Sequence, residues 1–406
     1  MQPRRSVTVG LVGVSAVLAA MCHDPTQTQI IPPPSAVDAG PDLRTTPGSP
    51  VTLTTRLVGG GSRWTVTWGD GAADSGKLSG RDTLLTLTHG FSATGTYAIK
   101  VSGAGSDGAA TSDTLTMVVE PPGTPQVFVG AGDIGECGLQ HARKTAAIVD
   151  TIPGTVFNLG DNAYPDGTLS DYGRCYAPSW GQFKKRTRPV PGNHEYKVDT
   201  AAGGYFGYFG VAAHDAPTGW YSYDLGSWHI IVLNSSFEET ATLSRVLNRQ
   251  TQLSWLRNDL AAHPTTCTLA MWHHPRFSSG VVHGNDTLMQ AFWQVLYDAG
   301  ADVILSGHEH NYERFAPQTP DGTADPARGI REFVVGTGGG GYDSLDVTKV
   351  TKLGNSEVGG VDHGVLKLTL SEGSYHWAFL PSGYTLDSAS TPPEYSHTDS
   401  GTASCH

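Results

Sequence analysis

Five short segments carry residue types able to bind metal ions. They are Gly132-Asp133-Ile134-Gly135, Gly160-Asp161-Asn162-Ala163-Tyr164, Gly192-Asn193-His194-Glu195, Trp272-His273-His274-Pro275 and Gly307-His308-Glu309-His310. All but the histidine pair place a glycine directly before the first donor. A glycine there lets the backbone turn sharply and approach a site closely. The donors are Asp133, Asp161, Tyr164, Asn193, His273, His308 and His310. Mixed oxygen and nitrogen donors without thiolate suit Fe, Zn or Mn rather than Ca2+. An aspartate among them can bridge two cations about 3.5–4 Å apart, the usual two-metal separation. Tyr164 also reads as a packed loop aromatic, and His273 and His274 compete for one ligand role. Side chains alternate along a strand, so that pair is not expected to face the same way.

Segments this far apart meet only through a fold. Val127–Gly132 reads as a buried strand, Leu139–Ile152 as a helix and Thr155–Gly160 as another strand. Strands follow at Trp228–Asn234, Thr268–Trp272, Asp302–Ser306 and Ile330–Gly336, with helices around Gln250–His263 and Leu288–Ala299. Val365–Leu370 and Tyr375–Phe379 are late strands. Strand and helix in alternation indicate an α/β domain, whose sites form at the carboxyl ends of strands. The Ser-, Thr- and Pro-rich stretch after Pro381 reads as a loosely ordered tail.

The five blocks, in this order and strand context, resemble those of the calcineurin-like metallophosphoesterases. Tyr164, three residues after Asp161, and the run Gly307-His308-Glu309-His310-Asn311-Tyr312-Glu313-Arg314 are similar to the purple acid phosphatase branch. The resemblance covers about Gln126 to Leu380. It implies a four-layer α/β/β/α sandwich, Fe3+ held by Asp133, Asp161, Tyr164 and His310, and Fe2+, Zn2+ or Mn2+ held by Asp161, Asn193, His273 and His308. The family's ligand lies two residues before proline, which favours His273 over His274. A phenolate on Fe3+ would colour the protein. The implied reaction is phosphomonoester hydrolysis at acidic pH, by in-line attack of a metal-bound hydroxide. His194 would hydrogen-bond phosphate or protonate the leaving oxygen. His283 is a second catalytic candidate, or an exposed loop histidine. Glu195 would orient His194 or cap a turn, and Glu313 with Arg314 resembles a structural ion pair. Gly338–Gly341 could cradle phosphate or form a flexible rim loop. His363 and His376 have no motif around them and read as structural.

Before this domain the texture differs. Val51–Leu57, Trp64–Trp68, Thr83–Thr88, Tyr97–Ser102 and Thr114–Val119 are short alternating strands set apart by Gly, Asp and Ser. They indicate a small all-β sandwich. Trp64-Thr65-Val66-Thr67-Trp68-Gly69-Asp70-Gly71, His89-Gly90-Phe91 and Gly95-Thr96-Tyr97 resemble the PKD family of immunoglobulin-like modules. That resemblance implies a spacer, or a weak binding module for surface polysaccharide or protein. Asp70 reads as a turn residue rather than a ligand.

The N-terminus reads as an export signal, with Arg4 and Arg5 ahead of the apolar run Val7–Ala20. Leu18-Ala19-Ala20-Met21-Cys22 resembles a bacterial lipobox except for Met21. Lipidation of Cys22 would anchor the chain to a membrane, whereas ordinary cleavage nearby would leave Cys22 free or removed. The expected order is signal 1–22, linker 23–36, PKD-like domain 37–120, linker 121–125, metallophosphoesterase domain 126–380 and tail 381–406. The expected location is secreted, periplasmic or cell-surface. Cys137, Cys175, Cys267 and Cys405 allow three connectivities. Cys137–Cys175 would brace two site loops, and Cys267–Cys405 would pin the C-terminus. Net charge is −12 with no basic stripe, which disfavours nucleic acid as the main partner. Any attraction for an anionic substrate must therefore be local. Two other functions compete: a phosphodiesterase or nucleotidase on the same core, and a non-catalytic surface binding protein with a broken ligand set.

Overall fold

The computed structural model describes residues 31–78, 80–214, 216–236, 242–341, 354–383 and 398–406. The expected signal, Cys22 and most of the expected linker lie outside these residues. Eight strands precede residue 120: β1 (Ala36–Asp38), β2 (Leu43–Thr45), β3 (Pro50–Val58), β4 (Arg63–Thr67), β5 (Ala73–Lys77), β6 (Asp82–Gly90), β7 (Gly95–Ala104) and β8 (Ala110–Val119). They form a sheet ordered β1-β3-β6 and one ordered β2-β8-β7-β4-β5. Alternate residues point inward, so Leu53 and Leu57 of β3 meet Val66, Ile99, Leu115 and Met117 of the other sheet. Trp68 fills the end of this core and donates Nε1–H to Asp74 at 2.8 Å. Asp70 accepts the Ala72 amide at 2.9 Å, as a turn residue should.

Two larger sheets follow. One contains β9 (Gln126–Ala131), β10 (Thr155–Asn158), β11 (Thr187–Arg188), β19 (Gly364–Ser371), β20 (Ser374–Pro381) and β21 (Asp399–Ser404), ordered β11-β10-β9-β19-β20-β21. The other contains β12 (Tyr221–Leu225), β13 (Trp228–Val232), β14 (Cys267–Met271), β15 (Val303–Ser306), β16 (Tyr312–Phe315), β17 (Arg331–Val335) and β18 (Ser356–Gly360), ordered β12-β13-β14-β15-β17-β16-β18. Strands β9, β10 and β11 are parallel, as are β13, β14, β15 and β17.

The near-continuous apolar runs of the seven-stranded sheet have a simple cause: both faces are covered. Leu269, Met271, Val303, Leu305 and Phe333 face the six-stranded sheet and its Phe128, Phe157 and Leu368. Their neighbours Ala270, Ile304 and Val334 face α4 (Thr242–Ala262) and α5 (Gln290–Asp298) through Leu253, Leu256, Phe292 and Trp293. Helix α1 (His141–Asp150) packs on the six-stranded sheet beside β19, and the short α2 (Leu169–Asp171) and α3 (Gly203–Phe209) lie in the loops after β10 and β11. The result is the expected α/β/β/α layering. Among the described residues no helix is long and apolar enough to cross a membrane.

Three differences from the sequence reading have physical causes. Helix α4 begins at Thr242, ahead of the expected Gln250, because Leu243, Val246 and Leu247 already stand at helical spacing and the polar run Asn248–Gln252 interrupts the stripe. The expected loose tail is ordered where it is described at its end. Residues 399–404 pair antiparallel with β20, from Phe379↔Asp399 to Ser374↔Ser404. This Ser- and Gly-rich edge strand lacks apolar alternation, so backbone pairing and Asp399 hold it. Asp399 accepts from Tyr312, Trp377 and Arg314 at 2.6, 3.0 and 2.7 Å. Arg314 therefore pairs with Asp399 and Glu357, not with Glu313. Both expected disulfides are formed, Cys137–Cys175 and Cys267–Cys405.

Candidate metal centre

The donors sit just past the carboxyl ends of five parallel strands drawn from both large sheets. Asp133 follows β9, Asp161 and Tyr164 follow β10, and Asn193 follows β11; His273 follows β14, and His308 and His310 follow β15. The glycines work by proximity. A Cβ on Gly160 would lie 2.6 Å from His273 Nδ1, and one on Gly307 would lie 2.7 Å from Asp133 Oδ2. Asp133, Asp161 and His308 themselves take positive φ of 58°, 47° and 70°. Strained backbone of this kind gathers where function demands a particular side-chain direction.

Tyr164 Oη lies 3.0 Å from Asp133 Oδ1, 3.4 Å from Asp161 Oδ2 and 3.0 Å from His310 Nε2. His273 Nε2 lies 3.0 Å from Asn193 Oδ1, 3.4 Å from Asp161 Oδ2 and 3.1 Å from His308 Nδ1. Asp161 belongs to both groups. All seven predicted ligands thus converge, with Asp161 in the middle.

Whether the residues fit cations can be judged from their protons. His310 Nδ1 donates to the Gly341 carbonyl, which leaves Nε2 as a bare acceptor. His273 Nδ1 donates to the Leu159 carbonyl at 2.7 Å, which turns its Nε2 toward Asn193, Asp161 and His308. One phenol proton then faces two carboxylates and a bare imidazole nitrogen, and two imidazole nitrogens face each other. Cations would satisfy these crowded donor atoms, and His273 and His310 are each held from behind as metal-binding histidines usually are. The residues fit two cations.

The electrostatics have the same origin. Burial raises the Asp161 carboxyl, but His273, His194 and His308 outweigh it and hold the group well below the usual carboxylate range. Burial opposes protonation of His273, yet Asp161 and Asp133 push it up to about 9. Burial, Asp133 and Asp161 drive the Tyr164 phenol well above its ordinary value. A bound cation would reverse that last effect by favouring the phenolate.

The histidine pair departs from expectation. Strand β14 ends at Met271, so alternation no longer governs residues 273 and 274. Both rings turn toward His308, at centroid distances of 4.9 and 4.3 Å. The Ser235 hydroxyl holds His274 through Nδ1 at 2.8 Å. Burial and His273 push His274 down to about 3.

The two catalytic candidates lie at the rim. His194 Nδ1 donates to the Pro165 carbonyl at 2.5 Å, and its Nε2 points toward Asp161 Oδ2 at 3.7 Å. The exposed His283 packs against His308 at a tilt of 38°, ring centres 4.0 Å apart.

Glu195 neither orients His194 nor caps a single turn. It is buried and accepts the amides of Asp161, Asn162 and Gly192 at 3.0, 2.9 and 2.7 Å, plus the Tyr172 hydroxyl. One carboxylate thereby joins two ligand loops. Three other buried carboxylates grip the loop that carries His283. Glu309 takes the His283 amide, Glu313 the Ser279 amide, and Glu332 those of Arg276 and Phe277. Sequence reading missed these roles, and Ser235 with them, because the acceptors satisfy backbone rather than a motif. The glycine run is neither a phosphate cradle nor a loose rim. The amides of Gly338, Gly340 and Gly341 donate to Gly132 O, Asp133 O and Glu136. A Cβ on Gly340 would lie 3.1 Å from the His310 ring. His363 is buried beneath this run, its Nε2 2.8 Å from Gly340 O.

Known proteins resemble this chain in sequence and in fold. Residues 113–312 match the family described as calcineurin-like phosphoesterase. Purple acid phosphatase 15 of Arabidopsis thaliana is 26% identical over 259 residues, covering 54% of this chain and 47% of that protein. The chain spans about half the length of the curated relatives it matches. The fold is similar to that of a purple acid phosphatase from yellow lupin (Lupinus luteus) seeds, with a TM-score of 0.60, 17% identity, and 92% of this chain and 74% of that one covered. It is also similar to that of PhoD, with a TM-score of 0.54 at 12% identity, covering 91% and 88%.

Proposed function

We propose that this chain, which carries a calcineurin-like metallophosphoesterase domain homologous to the purple acid phosphatases, is an exported metal-dependent phosphatase that hydrolyses phosphomonoesters. The observation that carries this reading is the convergence of six other donor side chains around Asp161, from five strand ends in all. Asp133, Asp161, Tyr164 and His310 would hold Fe3+, and Asp161, Asn193, His273 and His308 would hold Fe2+, Zn2+ or Mn2+. When bound, the two cations would neutralise phosphoryl oxygens and supply a water of lowered pKa. The protein positions and protonates. His194, fixed by Pro165 through Nδ1, keeps Nε2 for a phosphoryl or leaving-group oxygen. His283 offers a second donor over His308. Glu195 holds the two loops in register against the repulsion of the buried carboxylates.

Export is supported by Arg4, Arg5 and the apolar run behind them, and by two disulfides, which persist in oxidising compartments. The 37–120 unit serves as a PKD-like spacer, and lipid on Cys22 would tether it to a membrane.

Metal analysis with a panel of mono-, di- and pyrophosphate substrates tests the reading. About two metals per chain including iron, visible absorption and fastest turnover of monoesters are expected. A colourless protein, fully active with Zn or Mn alone, removes the tyrosinate–iron assignment. Preference for diesters moves the function to phosphodiester hydrolysis.

A further inference from the structure

Each large sheet brings ligand loops to the centre, and in each a buried carboxylate is tied to two of them. In the six-stranded sheet that group is Glu195, which joins the loops after β10 and β11. In the seven-stranded sheet it is Glu332 of β17. Glu332 Oε1 accepts the Arg276 amide and the Ser306 hydroxyl, both at 3.1 Å, and Oε2 accepts the Phe277 amide at 3.0 Å. Arg276 and Phe277 come directly after His273-His274-Pro275, where the chain leaves the sheet beyond β14. Ser306 ends β15, directly before Gly307-His308. One side chain thus spans the exit from His273 and the entry to His308.

The position is a costly one for a carboxylate. Side chains alternate along β17, so Glu332 points with Val334 into the layer under α4 and α5, beside Ile304, its cross-strand partner. It is fully buried. Burial pushes its carboxyl up to about 8 despite the three donors. A buried acid is disfavoured unless its hydrogen bonds offset the desolvation, and an apolar residue of similar volume often packs at least as well. Only an acceptor can hold two amides and a hydroxyl from separate loops at one point. Those loops carry the two imidazoles that meet at the centre, with His273 Nε2 3.1 Å from His308 Nδ1. His310, four residues past Ser306, has an anchor of its own in the Gly341 carbonyl.

We propose that Glu332 is a positioning residue for the His273–His308 half of the metal centre. By tying Ser306 to Arg276 and Phe277 it fixes how the two imidazoles face each other, and so the strength of the cation site they share. This role rests on the metal-centre assignment and not on which phosphate ester is cleaved.

The test titrates Zn2+ calorimetrically into the full chain, stripped with chelator, alongside Ser306→Ala, Glu332→Gln and Leu256→Ala. Wild type should take up two equivalents. Ser306→Ala removes one hydroxyl, and the Glu332→Gln amide cannot accept from all three donors. Each should bind one equivalent about 10–100-fold more weakly and the other as wild type does. Leu256→Ala, a core truncation in α4, should lower the melting temperature and leave both affinities as they are. Wild-type affinities in Ser306→Ala would overturn the proposal, whatever Glu332→Gln does. So would equal weakening of both equivalents, or the same selective loss in Leu256→Ala, since either marks a general loosening. Fewer than two equivalents in wild type would remove the centre and this role together. Turnover does not enter the readout. A selective loss in a protein that cleaves no phosphomonoester would end the function proposed above and leave Glu332 in its role.

Discussion

The same dipeptide occurs in both parts of the molecule with opposite consequences. Gly69-Asp70 and Gly160-Asp161 both carry glycine at positive φ, 87° and 86°. In the small sandwich Asp70 stays partly exposed, accepts the Ala72 amide and pairs with His89 at 2.7 Å. In the large domain Asp161 is buried and faces Tyr164, His273 and His194. The difference is not in the residues. Asp70 tops a hairpin whose neighbours are solvent and one strand. Asp161 ends a central parallel strand, where four other strand ends deliver donors to one point. Convergence turns a turn residue into a candidate ligand.

Substitutions can break or sharpen that contrast. Asp161→Ala should reduce both metal retention and phosphatase turnover to background, while Asp70→Ala leaves turnover unchanged; wild-type rates in Asp161→Ala would refute the site. Gly192→Ala should follow, because its Cβ runs into Asp161 Oδ1 and the Asp161 backbone nitrogen. Overpacking of this kind costs about 1–3 kcal/mol, read by chemical denaturation, with loss of metal. Gly71→Ala meets no atom within 4 Å and should leave metal content intact.

The buried and exposed histidine–aspartate pairs come next. Burial opposes protonation of His229, but Asp224 and Asp259 push it up to about 9. Its folded pKa is thus above its unfolded value. The stability it contributes is fully present below about pH 6.5 and fades as pH rises through about 9, a window that His229→Gln should abolish. The smallest effect is expected at the exposed pair. Asp70→Asn should cost under about 1 kcal/mol, as surface ion pairs do.

Much of this was legible in sequence. The seven donors, their glycines and the parallel strands ahead of them are local patterns: a strand period, a turn residue, a donor type. The cysteine pairing was legible too, once two cysteines fell in adjacent loops. The supporting carboxylates were not. Glu195, Glu313 and Glu332 bind backbone amides distant in the chain, and no spacing rule marks an acceptor whose donors are unspecialised N–H groups. Strand β21 escaped because Ser, Thr and Gly carry no apolar alternation, and Arg314 found Asp399 only because that strand closes the sheet edge. Only the direction of His274 was misjudged, for a similar reason: alternation holds within a strand, and the strand had already ended.

The sequence alone determined which atoms could bind metal and which elements would carry them, because donor chemistry and strand propensity reside in single residues and their near neighbours. Tertiary structure decided which donors meet, which carboxylates hold loops instead, and that Glu332 meets Ser306, Arg276 and Phe277 at all. Burial, distance and the direction of an imidazole proton are properties of several segments together, and no single segment specifies them.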